Sequence, residues 1–479
     1  MKPNFIRCCG PGYEKENKSM EKRYGLPTAI CMVVGIVIGS GIFFKTEAVL
    51  AVTGGNVLTG VLSLLIMGVI MFFCAYAFSL LSQKYQKVNG VVDYAEAVCG
   101  KKYAYYLGWF MTIIYTPAIA GVLCWVSARY LCDIFGFGLA SGETLAVTAL
   151  ILVAMCFINA FAPKFAGKTQ VSTTVIKMIP LMLMAVVGIV VGLVNGQLGD
   201  NFAAPSASGV SVVGGLTASV VSLAFAFEGW ILATSINAEL RDAKKNLPRA
   251  LIVGVIIIVA VFVFYYMGIC GAVSVEELLE GTSTLAFKKL FGNVFGTLLS
   301  VFIVISCLGT TNGLIMANAR NMYSLAVRGN GPKPKLFAAI DETSNMPVNS
   351  AFVGTLITVI WMVYFYGANI STGWFGLFNF DSSELVIVAL YVMYIPIFAK
   401  MYKDKELSPV KRIVVPTLAI GSCLFLVGCA VYSHGVVKYQ AAAAEGKFSF
   451  PVLFFLIITA VVLFIGKFFY HEEKPAAKD

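Results

Sequence analysis

The sequence predicts an all-α polytopic membrane protein: twelve transmembrane helices, arranged as two successive five-helix repeats with two extra C-terminal helices. Three observations predict it. Of 479 residues, 59% are hydrophobic and only 13% are charged, with a mean hydropathy of +0.84; a soluble domain averages about 25% charged. The apolar residues fall into twelve runs, each long enough to cross a hydrocarbon core of about 30 Å. Two of those runs, the first and the sixth, are broken at their centres by glycine and polar residues, and the breaks lie 188 positions apart from Ser40 to Glu228.

In order, the spans read 26–51, 57–82, 103–133, 143–162, 170–195, 211–237, 249–272, 293–325, 348–368, 374–399, 413–433 and 449–470. The loops fix their direction. With the N-terminus cytoplasmic, one side carries twenty-eight Lys and Arg. The other side carries five, Lys45, Lys288, Lys289, Lys438 and Lys447. Positive charge collects on the cytoplasmic side, so both termini are expected there, in a cell membrane, and the net charge of +10 is no nucleic-acid signal. The division expected is a polar tail 1–24, repeats 25–199 and 200–402, two further helices within 403–470, and a tail 471–479. No cleavable signal is expected, because the first residues lack an apolar core. Val88 to Lys102 is too short and polar to span and is expected along the inner face. The connection from Ser274 to Asn293, with Glu276, Glu277 and Glu280, is expected to form a short helix over the outer vestibule. The helices after the tenth have no counterpart in a five-plus-five scheme and read as packing or contact elements.

Most of the twelve cysteines lie in apolar runs (Cys31, Cys74, Cys124, Cys156, Cys270, Cys307, Cys423, Cys429), where cysteine acts as a small hydrophobe. Cys8 and Cys9 sit in the polar tail and read as a reduced pair. With His434 and His471 at span ends, neither a histidine relay nor a metal cluster is evident. No nucleophile–base set marks an enzyme, and no cofactor is expected.

The breaks carry the chemistry. The first reads GIVIGSGIFF, Gly35 to Phe44, and the second AFAFEGWILATS, Ala224 to Ser235. Inside a bilayer, interrupted backbone is tolerated only where protein or a cavity supplies partners. Paired interruptions at corresponding positions point to the site of a secondary transporter. Unwinding at Gly39-Ser40-Gly41 frees N–H groups and aims the positive end of the outer half-helix at the cavity, a place for a carboxylate. The competing reading is a small-residue packing face, since Gly35 and Gly39 have GxxxG spacing. In the second break, unwound carbonyls from Phe225 to Glu228 suit an ammonium group. Glu228 lies at bilayer depth beside Gly229, among Phe225, Phe227 and Trp230, where a carboxylate is disfavoured by about 2.5–3.5 kcal/mol and marks a functional cavity by default; the alternative is a structural carboxylate paired to a cation.

Lys177, in TTVIKMIPLML, either occupies a carbonyl cage in place of a sodium ion, titrates during the cycle, or snorkels to an interface. Asp381 and Glu384, at i and i+3 near the tenth span, either attract cationic substrates or solvate a wide mouth. Arg129 reads as a snorkelling or gate-network residue.

These residues resemble the amino acid–polyamine–organocation superfamily, and within it bacterial relatives of the L-type amino acid transporter light subunits. The likeness covers about residues 20 to 470. It rests on GSGIF (Gly39 to Phe43), FAFEGW (Phe225 to Trp230), ELRDAKKNLPRAL (Glu239 to Leu251) and SCLGTTNGLIMANARNMYSLAVRGNGP (Ser306 to Pro332). The resemblance implies inverted five-helix repeats of the LeuT-like kind with two added helices. It implies a substrate site formed by Val37, Ile38, Gly39, Ser40 and Gly41 together with Phe225, Ala226, Phe227, Glu228 and Gly229. The carboxylate would rest on amides near Ser40 and Gly41, and the α-amino group on carbonyls near Val37, Phe225 and Ala226. Phe225 matches an aromatic outer gate, and Lys177 a lysine standing in the sodium position of sodium-independent members. Glu228 departs from the small or aspartate residue common at its place. The loop Phe135 to Gly142 lacks the cysteine by which animal light subunits bond a heavy chain, so no disulfide-linked subunit is expected. The function implied is sodium-independent amino acid exchange by alternating access, neutral L-amino acids first. A cationic amino acid or polyamine carrier and a proton-coupled symporter are the alternatives.

Overall fold

The computed structural model describes residues 25–85, 90–138, 140–162, 176–206, 210–232, 234, 240–280, 283–371 and 373–472. The tail 1–24 with Cys8 and Cys9, Lys87 and Val88, Lys164 and Lys168, the start of the fifth span at 170–175, Ser235, Glu239 and the residues from 473 on lie outside them.

The described chain is helical and contains no strand. The first span is a bent pair, α1 (Leu26–Val37) and α2 (Ser40–Val52), at 43°. Then come α3 (Val57–Lys84), a short α4 (Val91–Cys99), α5 (Lys101–Ile134), α6 (Gly142–Phe161) and α7 (Met178–Val194), with α8 (Gln197–Ala203) turned 86° from α7. The second half holds α9 (Val212–Ala226), α10 (Ala243–Ala272), a short α11 (Val275–Glu280), α12 (Ser283–Ala326), a one-turn α13 (Pro334–Phe337), α14 (Val348–Ile370), α15 (Leu385–Met401), α16 (Pro409–Ala444) and α17 (Pro451–Lys467).

Eight of these helices are long and apolar enough to cross a membrane alone. The number is ten if each bent pair is one span, and α15 and α17 are shorter apolar helices. This is a polytopic membrane protein. Caps set several starts: Asn56 accepts from Thr59 N (2.8 Å), and Ser141 and Ser211 cap α6 and α9 through Thr144 N and Gly214 N. Such caps satisfy N–H groups that have no partner within the helix.

Equivalent helices of the two halves pack on one another: α2 on α9, α3 on α10, and α5 on α12. The two broken spans therefore lie at the centre of the bundle, with α14, α16 and α17 outside them. α1 begins at the near end of the bundle, and α2 runs toward the opposite, far end.

Two expectations change. The Ser274–Asn293 connection forms two helical pieces, α11 and the start of α12, which bends at Gly292 (φ +76°) before the eighth span proper. Glycine supplies that backbone angle at little cost. The eleventh span runs well past residue 433, because α16 continues through a π-helical stretch, Val431–Val437, to Ala444. The short segment before α5 is present as α4 and is tied down by Arg328, which bonds Asp93 at 2.7 Å and Glu96 at 3.5 Å.

Candidate functional site

The first break is two residues wide. α1 ends at Val37, Ile38 is extended, Gly39 has φ −155° and ψ −142°, and α2 starts at Ser40. Glycine is needed here for space. A Cβ on Gly39 would lie 2.0 Å from Thr310 Oγ1 of α12, and one on Gly41 would lie 2.7 Å from the Ala226 Cα. The second break answers the first. α9 ends at Ala226, a turn follows, and Gly229 takes φ +101° with its would-be Cβ 2.9 Å from Ile36 Cγ2. The two breaks thus cross in backbone contact, Gly41 on Ala226 and Ile36 on Gly229. This close approach brings the interrupted main chain of the two broken spans together.

No side chain caps the first turn of α2, and the buried Ser40 hydroxyl has no hydrogen-bond partner. Uncapped N–H groups at the start of a thirteen-residue helix form a ready anion site. Lys177, fully buried, donates from Nζ to the main-chain oxygen of Gly35 and lies near the Cys307 thiol of α12. It does not reach an interface, so snorkelling is set aside. Its charge joins α7, α1 and α12 beside the first break.

Glu228 is buried, and its Oε1 accepts from Tyr115 Oη at 2.6 Å. Its Oε2 has no partner among the described residues. Tyr115 sits in a π-helical turn of α5, Met111–Tyr115. Tyr391 and Tyr394 of α15 and Cys74 of α3 lie close by. No Lys or Arg is among its hydrogen-bond or ion-pair partners, and Lys177 is engaged with Gly35. A carboxylate with one oxygen held by a phenol and the other open can accept a proton or a cationic group.

At the far end an aromatic lid lies over the crossing. Phe44 meets Trp125 and Phe225 edge-on, with centroids 5.6 and 6.2 Å apart, and Trp125 meets Phe365 at 5.4 Å. Two buried cations flank it. Arg129 stacks over Phe44 at 5.4 Å and pairs with Glu47, whose Oε1 accepts from Ser283 N (2.7 Å) and Oγ (2.8 Å). Arg129 is therefore buried in an ion pair and does not snorkel. Lys45 lies 5.1 Å from the Phe44 ring and 5.4 Å from that of Phe225, and pairs with Glu384 at 2.6 Å.

Lys45, Glu384 and His434 correct the sequence reading. Lys45, counted with the cations of the opposite side though inside the span 26–51, is 2% exposed inside α2. Glu384 was expected to face the mouth, and it is buried between Lys45 and His434 Nε2 (2.9 Å). Asp381 is instead turned onto Ser383, accepting from its N (2.7 Å) and Oγ (2.6 Å). A signal was available. Lys45 is five residues past Ser40, about 7.5 Å along a helix, which is too deep for a loop. Nothing local marked Tyr115, or the Sγ contact of 3.7 Å between Cys74 and Cys423. Among the described residues no group of His, Cys, Asp or Glu converges as a metal site.

Two broken spans that meet, with a buried lysine beside one and a buried carboxylate on the other, are the arrangement expected at the site of a secondary transporter. The chain belongs to the amino acid permease family, whose pattern matches residues 24–463, and with it to the amino acid–polyamine–organocation superfamily. It is similar to the serine/threonine exchanger SteT of Bacillus subtilis (strain 168), 27% identical over 427 residues, 86% of this chain and 92% of that one. It is also similar to the b(0,+)-type amino acid transporter 1 of Mus musculus, 24% identical with 89% and 86% covered. The cystine/glutamate transporter of Homo sapiens is 23% identical, with 88% and 82% covered. The chain is an amino acid transporter of the multi-pass membrane kind.

Proposed function

We propose that this protein exchanges neutral L-amino acids across a bacterial cell membrane, independently of sodium and by alternating access. The single observation that carries the reading is the crossing of the two breaks at Gly41 and Ala226, beside an uncapped start of α2. The zwitterion would lie there with its carboxylate on the amides of Ser40 and Gly41 and its ammonium on carbonyls at Val37, Phe225 and Ala226. Ile38, Gly39, Phe227, Glu228 and Gly229 would shape the walls, and Phe225 would close the far side.

Sodium independence is supported by Lys177. Its ammonium sits on the Gly35 carbonyl, where it would supply the charge of a bound cation. The neutral preference is supported by the Tyr115 bond to Glu228, which occupies one carboxylate oxygen, and by the name of the serine/threonine exchanger relative. Exchange is supported by the same relative. The near end would be cytoplasmic, on the charge bias of the loops. The proposed repeats, 25–199 and 200–402, would rock about the crossing. No disulfide-linked subunit is proposed, since 135–142 holds no cysteine.

A second reading has its own observation. The unpartnered Glu228 Oε2 would take a cationic side chain or a polyamine, or a proton in a symport cycle. Counterflow uptake by the purified protein in proteoliposomes separates the readings. Serine, threonine or alanine should exchange best, unaffected by choline in place of sodium and by a proton uncoupler. Preference for lysine or a polyamine would overturn the neutral reading, and a strict sodium or proton requirement the coupling.

A further inference from the structure

The outer lid is tied to a helix that lies outside both repeats. Lys45 belongs to α2, the outer half of the first broken span. Glu384 is the residue preceding α15, and His434 lies in the π-helical stretch of α16. One carboxylate joins all three. Glu384 Oε1 takes Lys45 Nζ at 2.6 Å, and Oε2 takes His434 Nε2 at 2.9 Å. Ser383 Oγ adds a contact to Nζ at 3.3 Å. All three side chains are withdrawn from solvent, at 3, 10 and 12% exposure. The Lys45 ammonium also lies over Phe225, the aromatic ring that covers the crossing.

Geometry gives this array a direction. With α2 against α15, the two carboxylate oxygens are filled and the ammonium rests on the lid. Parting α2 from α15 leaves an ammonium and a carboxylate that must each find water, so the cost falls on the state with the far side open. The Arg129–Glu47–Ser283 set sits on the other flank of the same lid and joins α5, α2 and α12. The Lys45 array is the one that engages α16.

We propose that Lys45, Glu384 and His434 form a latch that holds the far side of the transporter shut, with His434 as a positioning residue that turns Glu384 toward Lys45. This rests on the reading of Phe225 as the outer gate. It gives the eleventh span a part in the transport cycle, beyond the packing role expected for it.

The test reads accessibility, which needs no transport. Ser40→Cys places a thiol behind the lid, at a hydroxyl without partners. A membrane-impermeant maleimide is added to intact cells, and labelling is compared with the same protein lacking that change. Lys45→Met and Glu384→Gln should each raise the labelling rate about tenfold, as expected when a minor open state becomes common. The double variant should add little to either single one, because the two residues share one interaction. His434→Leu should give the same rise, and His434→Gln, which keeps an N–H donor, should stay near the parent. Parent-like labelling in Lys45→Met and Glu384→Gln overturns the latch. A rise with both His434 variants alike removes the positioning role. Counterflow with the unaltered protein is run alongside: absence of amino acid exchange there defeats the transport reading and leaves the labelling result standing.

Discussion

The Lys177 ammonium, carried by the fifth span, is bonded to the main-chain oxygen of Gly35 in the first span, two residues before α1 ends at Val37. A hydrogen bond from a charged donor is worth about 1.5–3 kcal/mol, and more is lost when the partner is left buried. The contact therefore sets how α1 enters the break.

Removing that ammonium should impair transport. Lys177→Ala is expected to lower counterflow by at least about tenfold, the equivalent of 1.4 kcal/mol, with substrate preference unchanged. Replacing sodium by potassium or choline should leave wild-type rates alike. Full activity of the alanine variant would return Lys177 to a packing role, and a strict sodium requirement would contradict the substitution of lysine for a cation.

Gly41 faces main chain, and this changes what a substitution there reports. A methyl group would meet the Ala226 Cα at 2.7 Å, so Gly41→Ala should overpack the crossing and cost about 1–3 kcal/mol. Thermal unfolding in detergent should register this directly. Gly421, on α16, has nothing within 4 Å of its would-be Cβ, and Gly421→Ala should be neutral or stabilise by up to about 1 kcal/mol. Equal effects at the two sites would remove close packing as the reason for glycine at 41.

Tyr115 and Glu228 form the polar contact between α5 and the second break. Tyr115→Phe removes the side-chain donor to this buried carboxylate, which costs about 1–3 kcal/mol; serine and alanine counterflow should fall. Glu228→Gln keeps an acceptor for the phenol and should retain serine and alanine counterflow within about threefold, less than the 1.4 kcal/mol that separates tenfold rates. If lysine proves the preferred wild-type substrate and the Gln variant selectively loses it, Glu228 sets specificity and the neutral reading falls.

Arg129 and Glu47 should behave as a coupled buried pair. Breaking it from one side leaves a buried charge, at about 3–5 kcal/mol, so Arg129→Met should lower the unfolding temperature sharply. Ser283, which also bonds Glu47, offsets part of that. Joint replacement with Glu47→Gln should recover stability, as expected for residues that share one interaction. Additive losses in the double variant would show that the two residues act separately.

The sequence by itself determined the membrane class, the places of both breaks, and Glu228 and Lys177 as buried residues. Each is local: an apolar run of sufficient length has one low-energy solution in lipid, and glycine or charge within it is visible as a departure. Only the tertiary structure decided what those charges touch. Lys45 lies among loop cations by count, yet its partner Glu384 is 339 positions away. Tyr115 is one aromatic among many until α5 brings it to Glu228. His434 meets Glu384 because α16 carries a π-helical stretch that places it there. The physical reason is that desolvating a charge is costly wherever it occurs, so sequence shows that a partner must exist, while which partner meets it depends on how helices distant in the chain cross.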